Sequence, residues 1–545
     1  MTVKGQILRS ASVIAVITLI SRVCGYLRDQ RIALLLGTSP AADSFILAFR
    51  VPSLIRRMTA EGSLGASFIP LFSGYLRDRP RPDAWDFGRK VIWDTAILLA
   101  IVSLLGIIFS RQVIGVYTLF GAKQIHWDLA VSLNRIIFPS IFFMGLAALA
   151  SAILNSFHVF AIPAAGSIFF NLSIIAFSFA FLSRPILGIL PGGLRTPAAV
   201  LAIGILIGTV FQLAIQIPSL ARRGMRLLPV RPSVQDSGVR QFGRLMGPSF
   251  FGMGIYQINL FVDTIFATSP RMPSGSITSL YVADRVMQLV LGSYAVAMST
   301  VILPTMAHQL AAGQLGEMKR TFGFALRIVS FITIPAAVGL VLLRHPIIQV
   351  LFQHGQFVAE STALTANALL YYAVGLPAFA AVKLISPMYY SAKDTATPAR
   401  IGAYALLCNV LLNAAFLLFA FRYLSNGSPA LASSISAYFN FVLLFIFFRR
   451  RYGGLGARKL AIPITKMAVC ALAMAAMCYV TLKFSGFTGI RHLAARAAML
   501  TAMIGSSVGV YFGVAWLLRC EELSEFFLLL RRGERGASPA PELGL

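Results

Sequence analysis

The sequence predicts an all-α integral membrane protein with about fourteen transmembrane helices. Apolar residues make up 57% of the 545 residues, charged residues make up only 12%, and the mean hydropathy is +0.79. A soluble domain is about half apolar and a quarter charged. The apolar residues form stretches of about 20, the length that crosses a bilayer as a helix. These stretches lie at 8–33, 43–73, 91–110, 128–154, 160–183, 197–220, 241–267, 276–305, 323–343, 363–391, 399–421, 429–448, 463–482 and 493–518.

The basic residues indicate the orientation of these helices. Lys and Arg number 47 against 19 Asp and Glu, a surplus that in a soluble protein would suggest nucleic-acid binding. In a membrane protein the same surplus follows from the concentration of basic residues in cytoplasmic loops. Here they concentrate in alternate loops, at 77–90, 222–244, 319–320 and 449–459. We therefore expect these loops and both termini to be cytoplasmic, and we expect no nucleic-acid partner.

An internal repeat with an offset of about 235 residues predicts two six-helix lobes. Ser156 pairs with Ser391 at this offset, and Arg50 pairs with Arg285. Because six is an even number of helices, both copies start on the same side of the membrane and the repeat is parallel. Transporters of this design bind substrate between the lobes and alternate access by rocking. The predicted divisions are an N-lobe at 1–221, a cytoplasmic linker at 222–240, a C-lobe at 241–448, a cytoplasmic loop at 449–462, two extra helices at 463–518 and a cytoplasmic tail at 519–545.

Arginines occur inside stretches that otherwise have the composition of membrane helices. Arg22 and Arg28 lie in the first stretch, Arg56 in the second and Arg285 in the eighth. An arginine at the bilayer centre costs roughly 2.5–3.5 kcal/mol, so several of them require a water-filled cavity that holds an anion. The planar guanidinium group binds phosphate oxygens in pairs. Converging arginines therefore predict a transporter for a di-anion such as a pyrophosphate.

Local pairing is the alternative for two of these arginines. Arg28 is followed directly by Asp29, and Arg285 is preceded directly by Asp284. Each arginine either faces the cavity or forms an ion pair with its neighbour, and for Arg28 a third alternative is that its charged end reaches the membrane interface. The equivalence of Arg285 with Arg50 in the repeat favours a role that is common to both lobes.

Other charges in the predicted helices also have two interpretations. Arg56 and Arg57 are adjacent, so at most one faces the cavity squarely, and the other meets head groups or pairs with Glu61 four positions on. Asp43 is either the N-cap of the second helix or a gate residue on the outer side. Lys383, in the tenth stretch, is interpreted as a cavity or gating charge.

The sequence gives little support to an enzyme. The six histidines are isolated, the five cysteines have no metal-ligand spacing, and there is no Gly-x4-Gly-Lys-Ser/Thr motif for ATP. We therefore expect a transporter without a metal ion or other cofactor.

Eight short motifs lie in order between about residues 17 and 400. They are Ser21-Arg22-Val23-x-Gly25-x-x-Arg28-Asp29, Ala42-Asp43-Ser44-Phe45, Arg56-Arg57-x-x-Ala60-Glu61-Gly62, Phe68-Ile69-Pro70, Tyr281-x-Ala283-Asp284-Arg285, Leu303-Pro304, Leu351-Phe352-Gln353-x-Gly355-x-Phe357 and Tyr390-Ser391-x-x-Asp394-x-x-Thr397-Pro398. Together they resemble the signature of the MurJ (MviN) family, within the multidrug/oligosaccharidyl-lipid/polysaccharide (MOP) exporter superfamily.

The resemblance implies a fold, a substrate and a set of functional residues. The fold has fourteen helices in two lobes, and the last two helices form a groove for a lipid tail. The activity is the flipping of lipid II, the undecaprenyl-pyrophosphate-linked peptidoglycan precursor, from the inner to the outer leaflet of the bacterial cytoplasmic membrane. By motif, the essential cavity arginines that bind the pyrophosphate fall on Arg22, Arg28, Arg56 and Arg285. The acidic gate residues fall on Asp29, Asp43, Glu61 and Asp284.

The chain departs from part of the family at the eleventh helix. Some members resemble sodium-coupled exporters that use a carboxylate there, whereas this chain offers Asn409 and Asn413 as its candidate cation site. The sequence therefore argues against sodium coupling and leaves the membrane potential or protons as energy sources. Expected partners are lipid II and membrane lipids, with cell-wall synthesis proteins as further candidates. The alternatives are a related MOP exporter of another polyprenyl-pyrophosphate oligosaccharide or of drugs, and a membrane scaffold that transports nothing.

Overall fold

The chain is helical throughout the residues that the computed structural model describes. No strand occurs among them, which confirms the predicted all-α class. The described residues are 3–58, 64–121, 125–181, 195–225, 229–230, 235–392, 394–454, 457–490 and 492–534.

The helices form two compact units. The first comprises Met1–Ser279 together with His354–Ser361, and the second comprises Leu280–Gln353 and Thr362–Leu545. The predicted lobe boundaries rest on the internal repeat and stay a prediction.

The first unit contains the helices up to the start of α12. Local sequence explains several of their boundaries: the Ser39 hydroxyl accepts from the Ala42 N–H at the start of α2, and Thr196 caps α9 just before Pro197. The helices are α1 (Val3–Leu36), α2 (Pro40–Met58), α3 (Leu64–Asp78), α4 (Arg81–Ile108), α5 (Ser110–Tyr117), α6 (Trp127–Ile137), α7 (Ser140–Ser156), α8 (Ala161–Ala180), α9 (Pro197–Ala214), α10 (Ile217–Ala221) and α11 (Ser237–Ala267).

The second unit contains most of α12 and the helices that follow. The π-helical segment Phe416–Ala420 separates α16 from α17. Gly453, with φ +83°, ends α18. The helices are α12 (Ser276–Ala311), α13 (Leu315–Leu342), α14 (Arg344–Phe352), α15 (Ala359–Ser391), α16 (Ala396–Ala415), α17 (Phe421–Leu424), α18 (Ser428–Tyr452), α19 (Ala457–Phe484), α20 (Leu493–Leu517) and α21 (Glu521–Glu534).

Each of the fourteen predicted stretches overlaps a helix, but the number of membrane spans stays a prediction. Nine helical stretches of the described chain are long and apolar enough to cross a membrane, and one of them, Ala396–Tyr452, includes two predicted stretches. The first, second, seventh and eighth stretches are not among the nine. Some of these four stretches contain the arginines and acids discussed below. Others include residues whose side chains the structure does not describe. Hydropathy alone therefore does not identify these four as membrane spans.

Each unit has its own apolar core. In the first, Phe68 stacks on Phe72 and Phe87, which brings α3 against α4. In the second, Phe331 of α13 packs on Tyr511 of α20. The helix α21 lies within the predicted tail and was not expected from the sequence. The sequence feature that indicates this helix is an acidic first turn followed by Phe526, Phe527 and three leucines.

Candidate functional site

Arg28 on α1 is buried in an ion pair with its neighbour Asp29. Its Nε and Nη2 atoms donate to Asp29 Oδ1 over 2.9 and 2.6 Å. The two residues are 8% and 7% exposed. The local pairing considered for Arg28 is therefore present, and it compensates a charge that would be costly to bury alone.

Asn171 on α8 completes the surroundings of Arg28. Its Oδ1 accepts from Arg28 Nη1 over 3.0 Å, and its Nδ2 donates to the backbone carbonyl of Ser21 over 3.2 Å. The Phe170 ring lies beside the same guanidinium, with its centroid 5.9 Å from the Arg28 Cζ. Sequence reasoning missed Asn171, although an amide in the middle of the apolar stretch 160–183 was a usable signal.

A second arginine contact joins the same two helices. Arg31 Nε donates to Ser178 Oγ over 3.0 Å, and the Arg31 Cζ lies 4.0 Å from the centroid of the Phe179 ring. Sequence reasoning missed Arg31 as well, although it lies one helical turn after Arg28. Its guanidinium also packs on the face of the Phe179 ring, which is a cation–π contact.

The other membrane-helix arginines that the sequence analysis singled out in the first unit differ in exposure. The Arg22 side chain on α1 is exposed, and Arg50 on α2 is half-buried. Arg56 and Arg57 lie in the last turn of α2, but their side chains are outside the described part of the chain, as is the whole of Glu61.

Arg285 and Asp284 lie on α12 and each contacts a side chain one turn away. Arg285 is half-buried, its Nη2 donates to the Tyr281 hydroxyl over 3.1 Å, and its Cζ lies 4.9 Å from the Tyr281 ring centroid. The Asp284 carboxylate accepts from Gln288 Nε2 over 2.5 Å. Tyr281 and Gln288 are further contacts that sequence reasoning did not identify.

Asp43 caps a helix that is distant in the sequence. It is 2% exposed and accepts from the N–H groups of Gly275 and Thr278, each over 2.8 Å, and from the Thr278 hydroxyl over 2.7 Å. These groups belong to the first turn of α12 and to the glycine before it. Asp43 is therefore not the N-cap of its own helix, since Ser39 has that role, and it instead fixes α2 to the start of α12.

The turn between α1 and α2 is enclosed by a second chain segment. Gly37 and Gly355 both have φ +59°, and a Cβ at either would overlap a carbonyl oxygen, of Gln356 and of Leu34 respectively. The Gln356 N–H donates to the Leu34 carbonyl over 2.9 Å. The hydroxyls of Thr38 and Ser361 are 2.7 Å apart. We call the turn 37–39 and the segment 354–361, both in the first unit, the glycine clasp.

The internal repeat relates the glycine clasp to a second contact in the first unit. Residues 119–121 precede 354–356 by the repeat offset of 235. They pack against the last turn of α11 and the residues after it: Phe120 stacks on Phe266 with centroids 5.0 Å apart, and a Cβ at Gly121 would press on Pro270. Each of the two repeat-related segments therefore packs on the end of a repeat-related helix, α1 in one case and α11 in the other.

The candidate cation site is a buried polar cluster on α16 and α18. Asn413 Nδ2 donates to Asn409 Oδ1 over 3.1 Å, and Asn409 Nδ2 lies 3.3 Å from Ser433 Oγ. Lys383, on α15, is half-buried. In the described part of the chain, no three His, Cys, Asp or Glu side chains lie close enough to hold a metal ion together.

Two acids at predicted cytoplasmic loops cap helices. Asp394 accepts from the Thr397 N–H and hydroxyl and from Arg451, and Asp236 caps α11 and contacts Lys90 Nζ at 2.9 Å. Burial opposes ionisation of both acids, but the donors and cations outweigh it, so the pKa of each carboxyl lies below its usual range. Asp394, which belongs to the motif at 390–398, therefore stabilises the start of α16.

An apolar cavity of about 330 Å³ lies in the second unit beside the two extra helices. It is lined by Phe331 and Pro335 of α13, Met474 of α19, Phe512 of α20 and Phe526 of α21. The side chains around it are suited to hydrocarbon rather than to a polar group.

The sequence matches one family along most of its length. The family model described as "Lipid II flippase MurJ" matches residues 32–496. The "Probable lipid II flippase MurJ" of Vibrio cholerae is 32% identical over 535 residues, which cover 95% of this chain and 97% of the relative. The protein of the same description from Rhizobium meliloti is also 32% identical, and the match covers 96% of this chain and 95% of the relative.

Solved structures give the same result. A structure described as "Lipid II flippase MurJ, inward closed conformation" matches with a TM-score of 0.75 and 25% identity, over 93% of this chain and 98% of the other. An inward-facing MATE-family transporter of the MOP superfamily matches with a TM-score of 0.65 and 16% identity, over 82% and 98%, and this likeness concerns the fold alone. The chain therefore belongs to the MurJ family of lipid II flippases.

Proposed function

We propose that this chain flips lipid II from the cytoplasmic to the periplasmic leaflet of the bacterial inner membrane by alternating access. Arg22, Arg28, Arg56 and Arg285 bind the pyrophosphate. The family match over residues 32–496 supports the substrate. The protein acts as a transporter, and no step of this function makes or breaks a covalent bond in the lipid.

The position of the arginines is the observation that carries the proposal. They lie on α1, α2 and α12, three helices that correspond to predicted membrane stretches but are not among the nine apolar ones. Arginine in such helices is costly unless it faces protein, water or an anion. A pyrophosphate supplies the anion, and its oxygens match the geometry of the guanidinium group.

The gate on the outer side is assigned to Asp43 and the glycine clasp. Alternating access requires contacts that close one side and break when that side opens. Asp43 accepts three hydrogen bonds at the start of α12, and the hydroxyls of Thr38 and Ser361 contact each other, so only a few polar groups make these contacts. When the outer side opens, water can replace these hydrogen bonds. Asp29, Glu61, Asp284 and Lys383 are proposed as further gating charges.

The lipid tail is assigned to α19 and α20. The apolar cavity of about 330 Å³ beside them supports this role. It holds only a fraction of an undecaprenyl chain, so the rest of the tail lies against the exposed apolar faces of these helices or in the bilayer. Membrane lipids are thus expected contacts of the same surface, and cell-wall synthesis proteins stay candidate partners.

Export of another polyprenyl-pyrophosphate oligosaccharide is the second candidate function. It uses the same arginines and differs only in the sugar, so the residues described here fit it equally well. A drug exporter is less favoured because a cationic drug would be repelled by the arginines.

The energy source is proposed to be the membrane potential or a cation, with no cofactor. Asn409, Asn413 and Ser433 are the candidate cation ligands. They supply neutral oxygens only, which bind a monovalent cation more weakly than a carboxylate does.

Complementation tests the proposed function. A strain depleted of its own lipid II flippase is expected to regain growth and normal shape when it expresses this chain. Lipid II should then become accessible to a lipid II-cleaving toxin added outside the cells. Wild-type protein at normal abundance that restores neither growth nor cleavage would exclude lipid II as the substrate.

Topology provides an independent prediction. The exposed residues Ser274 and Arg79 lie in loops predicted to be periplasmic and cytoplasmic, respectively. A Ser274→Cys variant should react with a membrane-impermeant thiol reagent in intact cells, whereas an Arg79→Cys variant should react only after the cells are opened. The reverse pattern would invert the proposed orientation and place both termini in the periplasm.

A further inference from the structure

We propose that Asn171 is a positioning residue for the pyrophosphate, because it sets the direction in which Arg28 offers its guanidinium group. This inference rests on the proposed function. Asn171 is 6% exposed and lies on α8, whereas Ser21 and Arg28, the residues to which it bonds, lie on α1.

The amide of Asn171 joins two turns of α1. Ser21 and Arg28 are seven residues apart, about two helical turns, so both face α8. Asn171 Nδ2 donates to the Ser21 carbonyl, and Asn171 Oδ1 accepts from Arg28 Nη1. Only one orientation of the amide satisfies a carbonyl on one side and a cation on the other. The Asn171 side chain therefore holds Arg28 Nη1 at a fixed distance and direction from α8.

The bonds already made by Arg28 determine which groups are left for a ligand. A guanidinium has five N–H donors. Asp29 takes one from Nε and one from Nη2, and Asn171 takes one from Nη1. One N–H on each terminal nitrogen makes no hydrogen bond to the described residues, and we assign these two to phosphate oxygens. Without Asn171 the guanidinium can turn about its bond to Asp29, and the direction of both donors is lost.

The chain supplies a matched control on the same pair of helices. Ser178 on α8 accepts from Arg31 Nε on α1, a bond of the same kind and length, and neither residue belongs to the proposed pyrophosphate set. Removing the Ser178 hydroxyl therefore measures the cost of one α1–α8 hydrogen bond without any effect on Arg28.

The test compares binding with stability in the full-length purified protein. Lipid II is titrated into nanodiscs that contain the wild type, Asn171→Ala, Asn171→Asp or Ser178→Ala, and thermal unfolding of each is followed in parallel. A hydrogen bond to a charged group corresponds to about a tenfold change in affinity, so Asn171→Ala should bind lipid II about tenfold more weakly. Ser178→Ala should keep wild-type affinity.

The aspartate variant separates positioning from stability. It retains an acceptor for Arg28 and adds a second anion beside a buried cation, so its unfolding temperature should stay at or above that of Asn171→Ala. Its affinity should nevertheless be the lowest of the four, because the added carboxylate repels the pyrophosphate and competes for the guanidinium. Affinities that follow the unfolding temperatures, or an unchanged affinity in Asn171→Ala, would overturn the inference. Failure of the wild type itself to bind lipid II would instead overturn the proposed function.

Discussion

Alanine variants of Arg22, Arg56 and Arg285 are expected to reach wild-type abundance in the membrane and to lose most of their flipping activity. Truncating one partner of a desolvated charge pair costs at least about 2 kcal/mol, so transport should fall by more than about tenfold in each variant. Abundance should hold because removal of a membrane arginine does not hinder insertion. The measurement is the fraction of lipid II cleaved by an external toxin in cells depleted of their own flippase.

Lysine variants and Arg57 provide the controls. Lysine at position 56 keeps the charge but loses the paired donors of the guanidinium, so it should restore only part of the activity. Arg57→Ala should be milder than Arg56→Ala, because at most one of two adjacent residues faces the same cavity. Normal flipping by the Arg22, Arg56 and Arg285 alanine variants at normal abundance would refute binding of the pyrophosphate by these arginines.

Arg28 requires a different variant because it also stabilises the fold through its buried ion pair with Asp29. Arg28→Ala would remove the cation that compensates the buried Asp29, and breaking a buried pair is strongly destabilising. The double variant Arg28→Ala with Asp29→Asn removes both charges and is expected to be better folded than the single one. If it is abundant but inactive while Asp29→Asn alone still transports, the loss belongs to substrate binding by Arg28 rather than to folding or to the loss of the Asp29 gating charge.

The sequence predicted the fold well because membrane insertion leaves a simple signal. Apolar stretches of about 20 residues correspond to helices regardless of what they contact, and all fourteen stretches overlap one. The predicted second stretch, 43–73, nevertheless includes two helices, α2 and α3.

The site was predicted less completely, since composition identifies costly residues but not their partners. Arg28 and Asp43 attracted attention because a bilayer does not tolerate them. Asn171, Thr278 and Ser361 did not, because a neutral amide or hydroxyl in or beside a membrane helix is a weaker signal than a charge. Their roles depend on contacts across 143, 235 and 323 positions of the chain. Such pairings follow from helix packing, which a single sequence does not specify.

A disulfide across the glycine clasp is expected to stop transport reversibly. The hydroxyl oxygens of Thr38 and Ser361 are 2.7 Å apart, so cysteines at both positions would bring their sulfurs within bonding reach. If the clasp must open during each cycle, a covalent bond there holds the protein in one state. In a variant whose five native cysteines are replaced, Thr38→Cys with Ser361→Cys should flip lipid II under reducing conditions, lose nearly all activity after oxidation, and regain it when reductant is added.

The single variants, Thr38→Cys and Ser361→Cys, separate the bond from the substitutions. Each should keep its activity under oxidising conditions, because neither can form the bond within one molecule. A double variant that cross-links fully, as judged by loss of reactive thiols, and still flips lipid II at the reduced rate would show that the clasp does not open during transport. A double variant that never cross-links under oxidation would show that the two residues are not in contact in the membrane. Reversible arrest confined to the double variant is the expected result, since only there does a covalent bond replace a hydrogen bond that costs little to break.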